Sequence, residues 1–196
     1  MVKKVRFLRF SLGVVAAVLA IGGFAASPAS AKPDKLRAAE QHCVVNVETG
    51  EAQCFATFQE SITQATGGRV TDAPNDVKAA MTDGKLAAEL DNGGVGAQSV
   101  TIGIEFFFEQ FGAPTLTFTG SHACTTTTAD LDFRAAPMPF LDGHDWSNNI
   151  RSYQAFNNCF QRMWDDPGCT GLLRAFASTT ADLMLARDRT ECIDWS

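Results

Sequence analysis

Asp142-Gly143-His144-Asp145 sets two carboxylates and an imidazole within four residues, the donor types that serve metal binding or proton transfer. A solvated loop ahead of Trp146 accounts for the same residues, because perturbed titration needs burial or a charged neighbour. Asp165-Asp166 stands beside Pro167-Gly168, and turn formation explains that acid pair without chemistry. Ser121-His122 are adjacent in sequence, which does not place a hydroxyl on an imidazole as a nucleophile and its base require. The chain has no Gly-x-Ser-x-Gly elbow, no His-Glu-x-x-His, no Walker loop and no Gly-x-Gly-x-x-Gly before a helix. Nor do His42, His122 and His144 or the cysteines show the paired spacing of a zinc site. A non-catalytic protein without a resident cofactor is the expectation.

Charge limits the partners. The chain of 196 residues carries 22 acidic and 16 basic side chains, a formal charge of −6, and Lys3, Lys4, Arg6 and Arg9 cluster at the start. A polyanion-binding protein needs grouped Lys and Arg that release counterions, so nucleic acid is excluded as a partner. The basic start runs into an apolar stretch from Phe10 to Ala26 and then Ala29-Ser30-Ala31, the pattern of an export signal cleaved after residue 31. Removing it leaves 12 basic against 22 acidic residues, or −10. No later apolar stretch is long enough to span a bilayer, so a secreted, extracellular protein free of the membrane is expected.

Six cysteines, Cys43, Cys54, Cys124, Cys159, Cys169 and Cys192, all follow the cleavage site, and an even set in an exported chain reads as disulfides. Val44–Val47 and Ala52–Phe55 read as short strands about a Glu48-Thr49-Gly50 turn, which brings Cys43 beside Cys54. Phe55, Phe58 and Ile62 recur at helical spacing up to Gly67-Gly68. Residues 32–70 therefore form an N-terminal disulfide hairpin and helix. Residues 71–99, rich in Ala, Asp, Gly and Lys with only a short helix-like patch, read as a linker. From Val100 the chain turns to short aromatic and Thr-rich runs split by Gly, Pro, Asn and Asp, an all-β texture.

Within 100–196 the same order of features occurs twice. Phe106 to Phe118 and Trp164 to Phe176 share their aromatic spacing around a glycine-containing turn, and Thr-Thr-Ala-Asp-Leu appears at 127–131 and again at 179–183. A polar turn leading into a strand follows each copy, Ser147-Asn148-Asn149-Ile150-Arg151-Ser152 and Arg187-Asp188-Arg189-Thr190-Glu191-Cys192. The first copy carries an extra loop, Arg134 to Asp145. Two four-strand motifs, each too small to bury a face alone, would pack as a sandwich of two Greek keys.

This pattern resembles the βγ-crystallin superfamily. Phe106-Phe107-Phe108-Glu109-Gln110-Phe111-Gly112-Ala113 and Trp164-Asp165-Asp166-Pro167-Gly168-Cys169-Thr170-Gly171 are similar to its aromatic-led, glycine-bearing folded hairpin, and Trp146 to Phe160 is similar to its polar turn and following strand. The likeness covers 100–196 and is nearest to the single-domain, disulfide-containing members secreted by bacteria of the actinomycete group, which include metalloproteinase inhibitors and killer-toxin-like proteins. It implies a secreted binding protein, with a proteinase as the extracellular partner, and with a calcium-binding or structural envelope protein and a secreted toxin or antimicrobial protein as rivals. The family's polar turns often give oxygen ligands to calcium, which makes Asn148, Asn149, Asp188 and Glu191 the metal candidates here. Arg151 stands at the usual hydroxyl position and disables the first turn, whereas Glu191 could still donate oxygen in the second. Met138, Phe140 and Leu141, an apolar patch in the extra loop, are the candidate partner contact. The repeat also places Cys169 where the first hairpin has Phe111 and Cys192 where it has Ser152, favouring Cys169–Cys192 and leaving Cys124–Cys159.

Overall fold

The computed structural model describes residues 41–93 and 99–196. The expected export signal, the lead-in up to residue 40 and residues 94–98 of the expected linker lie outside the described residues. Strand β1 (His42–Asn46) turns through Gly50, at φ +73°, into β2 (Ala52–Phe55), with the Asn46 side chain accepting hydrogen bonds from the Glu48 and Thr49 amides. Cys43 and Cys54 are register partners and are bonded. Helix α1 (Phe58–Ala65) starts at Thr57, whose hydroxyl accepts from the Glu60 amide and donates to the Glu60 carboxylate. It buries Phe58, Ile62 and Ala65 on one face.

Residues expected as a linker form two more helices, α2 (Val77–Thr82) and α3 (Gly84–Asp91), capped by Asp76 and Asp83. Their Val77, Ala80, Met81, Leu86 and Leu90 are buried. Sparse apolar residues suffice there because a second surface covers them. That surface is the outer face of the next strand, which contributes Ile104 and Phe106 to the same cluster.

The remaining strands are β3 (Val100–Phe108), β4 (Gly112–Gly120), β5 (Phe133–Ala135), β6 (Phe140–Leu141), β7 (His144–Asp145), β8 (Ser152–Ala155), β9 (Gln161–Trp164), β10 (Leu172–Ala177), β11 (Thr179–Thr180) and β12 (Cys192–Trp195). They build a six-stranded sheet in the order β11-β8-β3-β4-β1-β2, a four-stranded sheet in the order β10-β9-β12-β5, and the small β6-β7 hairpin. The fold is thus mainly β, with a short helical cover. The hairpin at 42–55 is not a separate unit: β1 runs parallel to β4 through five residue pairs and occupies an edge that would otherwise leave β4 unpaired. The described residues all belong to one compact unit.

The sequence repeat has a topological counterpart. Strands β3, β4, β5 and β8 come from the first copy and β9, β10, β11 and β12 from the second, and each sheet takes three strands of one copy plus the third strand of the other. Phe118, Trp146, Tyr153, Met163, Ile193 and Trp195 fill the space between the sheets. The bonds Cys124–Cys159 and Cys169–Cys192 complete the disulfide set.

One irregularity matters for the interior. Opposite β4, Thr101 faces Thr119 and Gly103 faces Phe118, so Ile102 is an extra residue and the strand changes faces there. Val100 and Ile102 point into the sandwich, Ile104 and Phe106 toward the helices. Gly103, Glu105 and Phe107 consequently turn inward.

Candidate functional site

The two polar turns meet across the internal symmetry. Asn148 and Asp188 hold equivalent positions and both adopt left-handed backbone, φ 60° and 55°. The Asn148 amide donates to the Thr190 carbonyl at 2.9 Å, and the Asp188 amide to the Ile150 carbonyl at 3.2 Å. Side chains cross in the same sense. The Arg151 guanidinium donates to the Asp188 carboxylate at 2.9 Å, and the Asn148 side-chain amide to Glu191 Oε1 at 2.6 Å. Asn149 turns back on its own loop, donating to the Ser147 carbonyl at 3.0 Å.

Of the four metal candidates, then, Asn148 and Glu191 are brought together, Asp188 is taken by Arg151, and Asn149 stands apart. The arrangement does not fit a calcium ion. Each carboxylate that would face the metal already faces an N–H donor of the protein, and Arg151 brings a full positive charge whose own pKa the Asp188 hydrogen bond raises further. The one set with metal-like spacing among the described residues is Cys169, Cys192 and Asp194. Its sulfurs are bonded to each other, and Asp194 accepts from Arg134, Arg162 and the Trp164 indole, so this cluster offers no free donor set.

The acid–base candidates resolve into structure. Asp142 and Gly143, at φ 49° and 82°, are the two turn residues of the β6-β7 hairpin, and Asp145 accepts from the Ser147 amide. Asp166 accepts from the Thr170 hydroxyl at 2.8 Å, and Asp165 pairs with Arg189, so both acids shape the second folded hairpin. Ser121 donates to Glu48 while His122 lies on Phe133, and the two do not meet. His42 is a core residue 2.9 Å from the Thr115 hydroxyl, held neutral by burial that lowers its pKa to about 4.

The apolar candidates divide. Met138 is only 5% exposed and packs in the main core cluster with Trp146, so it cannot meet a partner. Leu141 is half-buried, and Phe140 alone projects, at 69% exposure. A stronger projection lies elsewhere, in the 3-10 turn Met184–Ala186, where Met184 is 71% and Leu185 92% exposed. Leu172 is exposed nearby, and Leu172, Leu173, Leu185 and Ala186 line an open cleft of about 260 Å³ together with the paired Asp165 and Arg189.

The turn is pinned on both flanks. Asp182 accepts from the Met184 amide at 2.7 Å and from Arg187 Nε at 2.6 Å, and Arg187 also reaches Glu109 at 3.0 Å. Leu183 and Ala186 are buried, and the Leu183 amide donates to the Arg151 carbonyl. Met184 sits at φ +52°, a conformation that costs a non-glycine residue energy and persists only when its surroundings impose it. Sequence reasoning passed over this turn. The signal it offered was a Met-Leu doublet between the repeated pentapeptide and the polar turn.

Among the described residues no helix is long and apolar enough to cross a membrane. No protein-family model, curated protein or solved structure matches this chain.

Proposed function

We propose that the chain is an exported, non-catalytic binding protein of βγ-crystallin type that offers the Met184-Leu185 tip to a protein partner, a proteinase above all. The observation that carries this reading is Leu185, almost fully exposed on a turn whose neighbours on both sides are buried and ion-paired. A loop already held in one conformation loses little entropy on binding and resists being drawn through a protease site. Three disulfides with no free cysteine among the described residues support an oxidising, extracellular location. The exchange of third strands between the sheets and the doubled hairpin-and-turn pattern support the crystallin kinship. The calcium reading draws no support from turns whose carboxylates already face guanidinium and amide donors.

The test is inhibition by the oxidised chain beginning at Lys32 against a panel of bacterial metallo- and serine proteases, with mass spectrometry following the inhibitor. Stoichiometric inhibition with the chain intact or cut at one bond is expected. Replacing Met184 and Leu185 by Ser should weaken inhibition at least tenfold while the melting temperature stays within a degree or two, since both side chains are in water. No inhibition by the folded chain would overturn the reading; inhibition that survives the double substitution would move the contact to Phe140.

A further inference from the structure

Glu105 lies in the middle of β3, where unbroken alternation from the inward-facing Val100 and Ile102 would turn it toward the helices. The bulge at Ile102 instead aims it between the sheets. There it is fully buried, with a single hydrogen bond: Gln161 of β9, on the other sheet, donates from Nε2 to Glu105 Oε2 at 3.0 Å. Gly103 gives the pair its room. A methyl group on Gly103 would meet Trp195 Nε1 at 2.9 Å, Gln161 Oε1 at 3.3 Å and Glu105 Oε1 at 3.4 Å.

Those distances gather Glu105 Oε1, Gln161 Oε1 and the Trp195 indole nitrogen around one small region, and among the described residues none of the three has a hydrogen-bond partner, so one N–H stands beside two acceptors. A single indole N–H can serve only one of the two oxygens well, and an ionised carboxylate buried there without a cation is more unfavourable still. A proton removes the buried charge and supplies the missing donor. Placed on Glu105 Oε1, it makes a donor for Gln161 Oε1 and closes a two-bond ring between acid and amide, each side giving one hydrogen and accepting one.

Among the described residues no cation pairs with Glu105 to hold a carboxylate instead. The register partners of Glu105 are Leu116 on β4 and Tyr153 on β8. From the second sheet it meets uncharged Gln161 on β9 and Trp195 on β12. The titratable side chain facing it is Tyr153, whose pKa burial raises, so the phenol is neutral; Arg174 of β10 acts on that phenol. Within its own strand Glu105 is the sole charged residue.

We propose that Glu105 carries a proton in the folded protein and that the Glu105–Gln161 acid–amide pair is a latch between the two sheets, released when alkali removes the proton. The reading is independent of what the Met184-Leu185 tip binds. Burial, opposed only by the Gln161 hydrogen bond, pushes the Glu105 pKa up to about 8 from an ordinary value of 4.5. The sign follows from proton counting. Between about 4.5 and about 8 the folded chain keeps a proton that the unfolded chain has lost, so stability declines as pH rises through that window and levels off above it.

The test compares wild type with Glu105→Gln, whose amide cannot ionise, by urea unfolding of the oxidised chain from pH 5 to pH 9. The ratio of the two folding constants should shift against wild type by about tenfold per pH unit inside the window and then flatten. Parallel pH profiles would overturn the proposal. If Glu105→Gln does not fold, carbon-13 NMR of the glutamate carboxyls in the wild-type chain decides the matter. One resonance should remain at its protonated position at pH 6.5 and move only in the alkaline range; titration of every glutamate near its ordinary value would refute the latch.

Discussion

The two copies of the repeat hold the same backbone by different chemistry. In the first folded hairpin Phe111 is left-handed, at φ 60°, and the Ser152 hydroxyl stands between its neighbours, accepting from the Phe111 amide at 3.1 Å and donating to the Phe108 carbonyl at 2.7 Å. In the second, Cys169 has φ 56° and Cys192 replaces the serine. There the Cys169 amide donates straight to the Asp166 carbonyl at 2.9 Å, and the two sulfurs supply a covalent tie between hairpin and strand β12. A hydroxyl bridge and a disulfide thus do one job: each fastens a left-handed hairpin residue to the last strand of its own motif. The first copy has a flanking strand in β1 and a helical cover; among the described residues the three strands of the second copy in the other sheet have neither. Where noncovalent support is thinner, the link is covalent.

That comparison can be broken from the covalent side first. Replacing Cys169 and Cys192 by Ala should lower stability by about 3 kcal/mol, the loop-closure value for a bridge of this span, measured as a shift of the urea midpoint at unchanged slope. Installing the first copy's residues instead, C169F with C192S, should recover part of that loss by letting the hydroxyl insert between the residue-169 amide and the Asp166 carbonyl, which now bond directly, as Ser152 does between Phe111 and Phe108. A double variant no better than the Ala pair would show that the two hairpins are not interchangeable. Ser152→Ala comes next. It leaves a half-buried amide and carbonyl without their shared partner, an expected loss of about 1 kcal/mol in the same assay, and a neutral result would deny the hydroxyl its bridging role.

Much of this arrangement was legible in residues alone. Cysteine placement within the repeat pointed to the bonds found, and the aromatic-Thr texture of 100–196 pointed to strands. What escaped was whatever depends on a distant partner. Val77 to Leu90 looks too dilute in apolar residues to be a layer of a core, and becomes one only because Ile104 and Phe106 face it. Those two residues face it only because one extra residue at Ile102 inverts the strand's alternation, and nothing in Val100–Phe108 marks the bulge except Gly103. The parallel pairing of β1 with β4 joins segments some 70 residues apart, beyond any local pattern. At the candidate site, the apolar loop chosen from composition holds a buried Met138, while Leu185 projects; exposure of an apolar side chain is decided by what packs beside it, not by its type.

The smallest predicted effect bears on the sharpest asymmetry between the copies. At equivalent places the cross-turn contacts are Arg151–Asp188, an ion pair, and Asn148–Glu191, an amide on a carboxylate. Both partners of the ion pair are partly open to water, so solvent screens it and Arg151→Ala should lose only about 0.5–1 kcal/mol. Asp188→Ala should lose a similar amount, and the two together little more than either alone, because each removal already forfeits the shared contact. Additive losses would mean that the pair acts through something else. If the guanidinium and the Asn148 amide truly occupy the oxygens that a metal would need, millimolar calcium leaves the wild-type melting temperature where it was. A rise of several degrees would mean that these donors yield to the ion, and would make the turns a metal site after all.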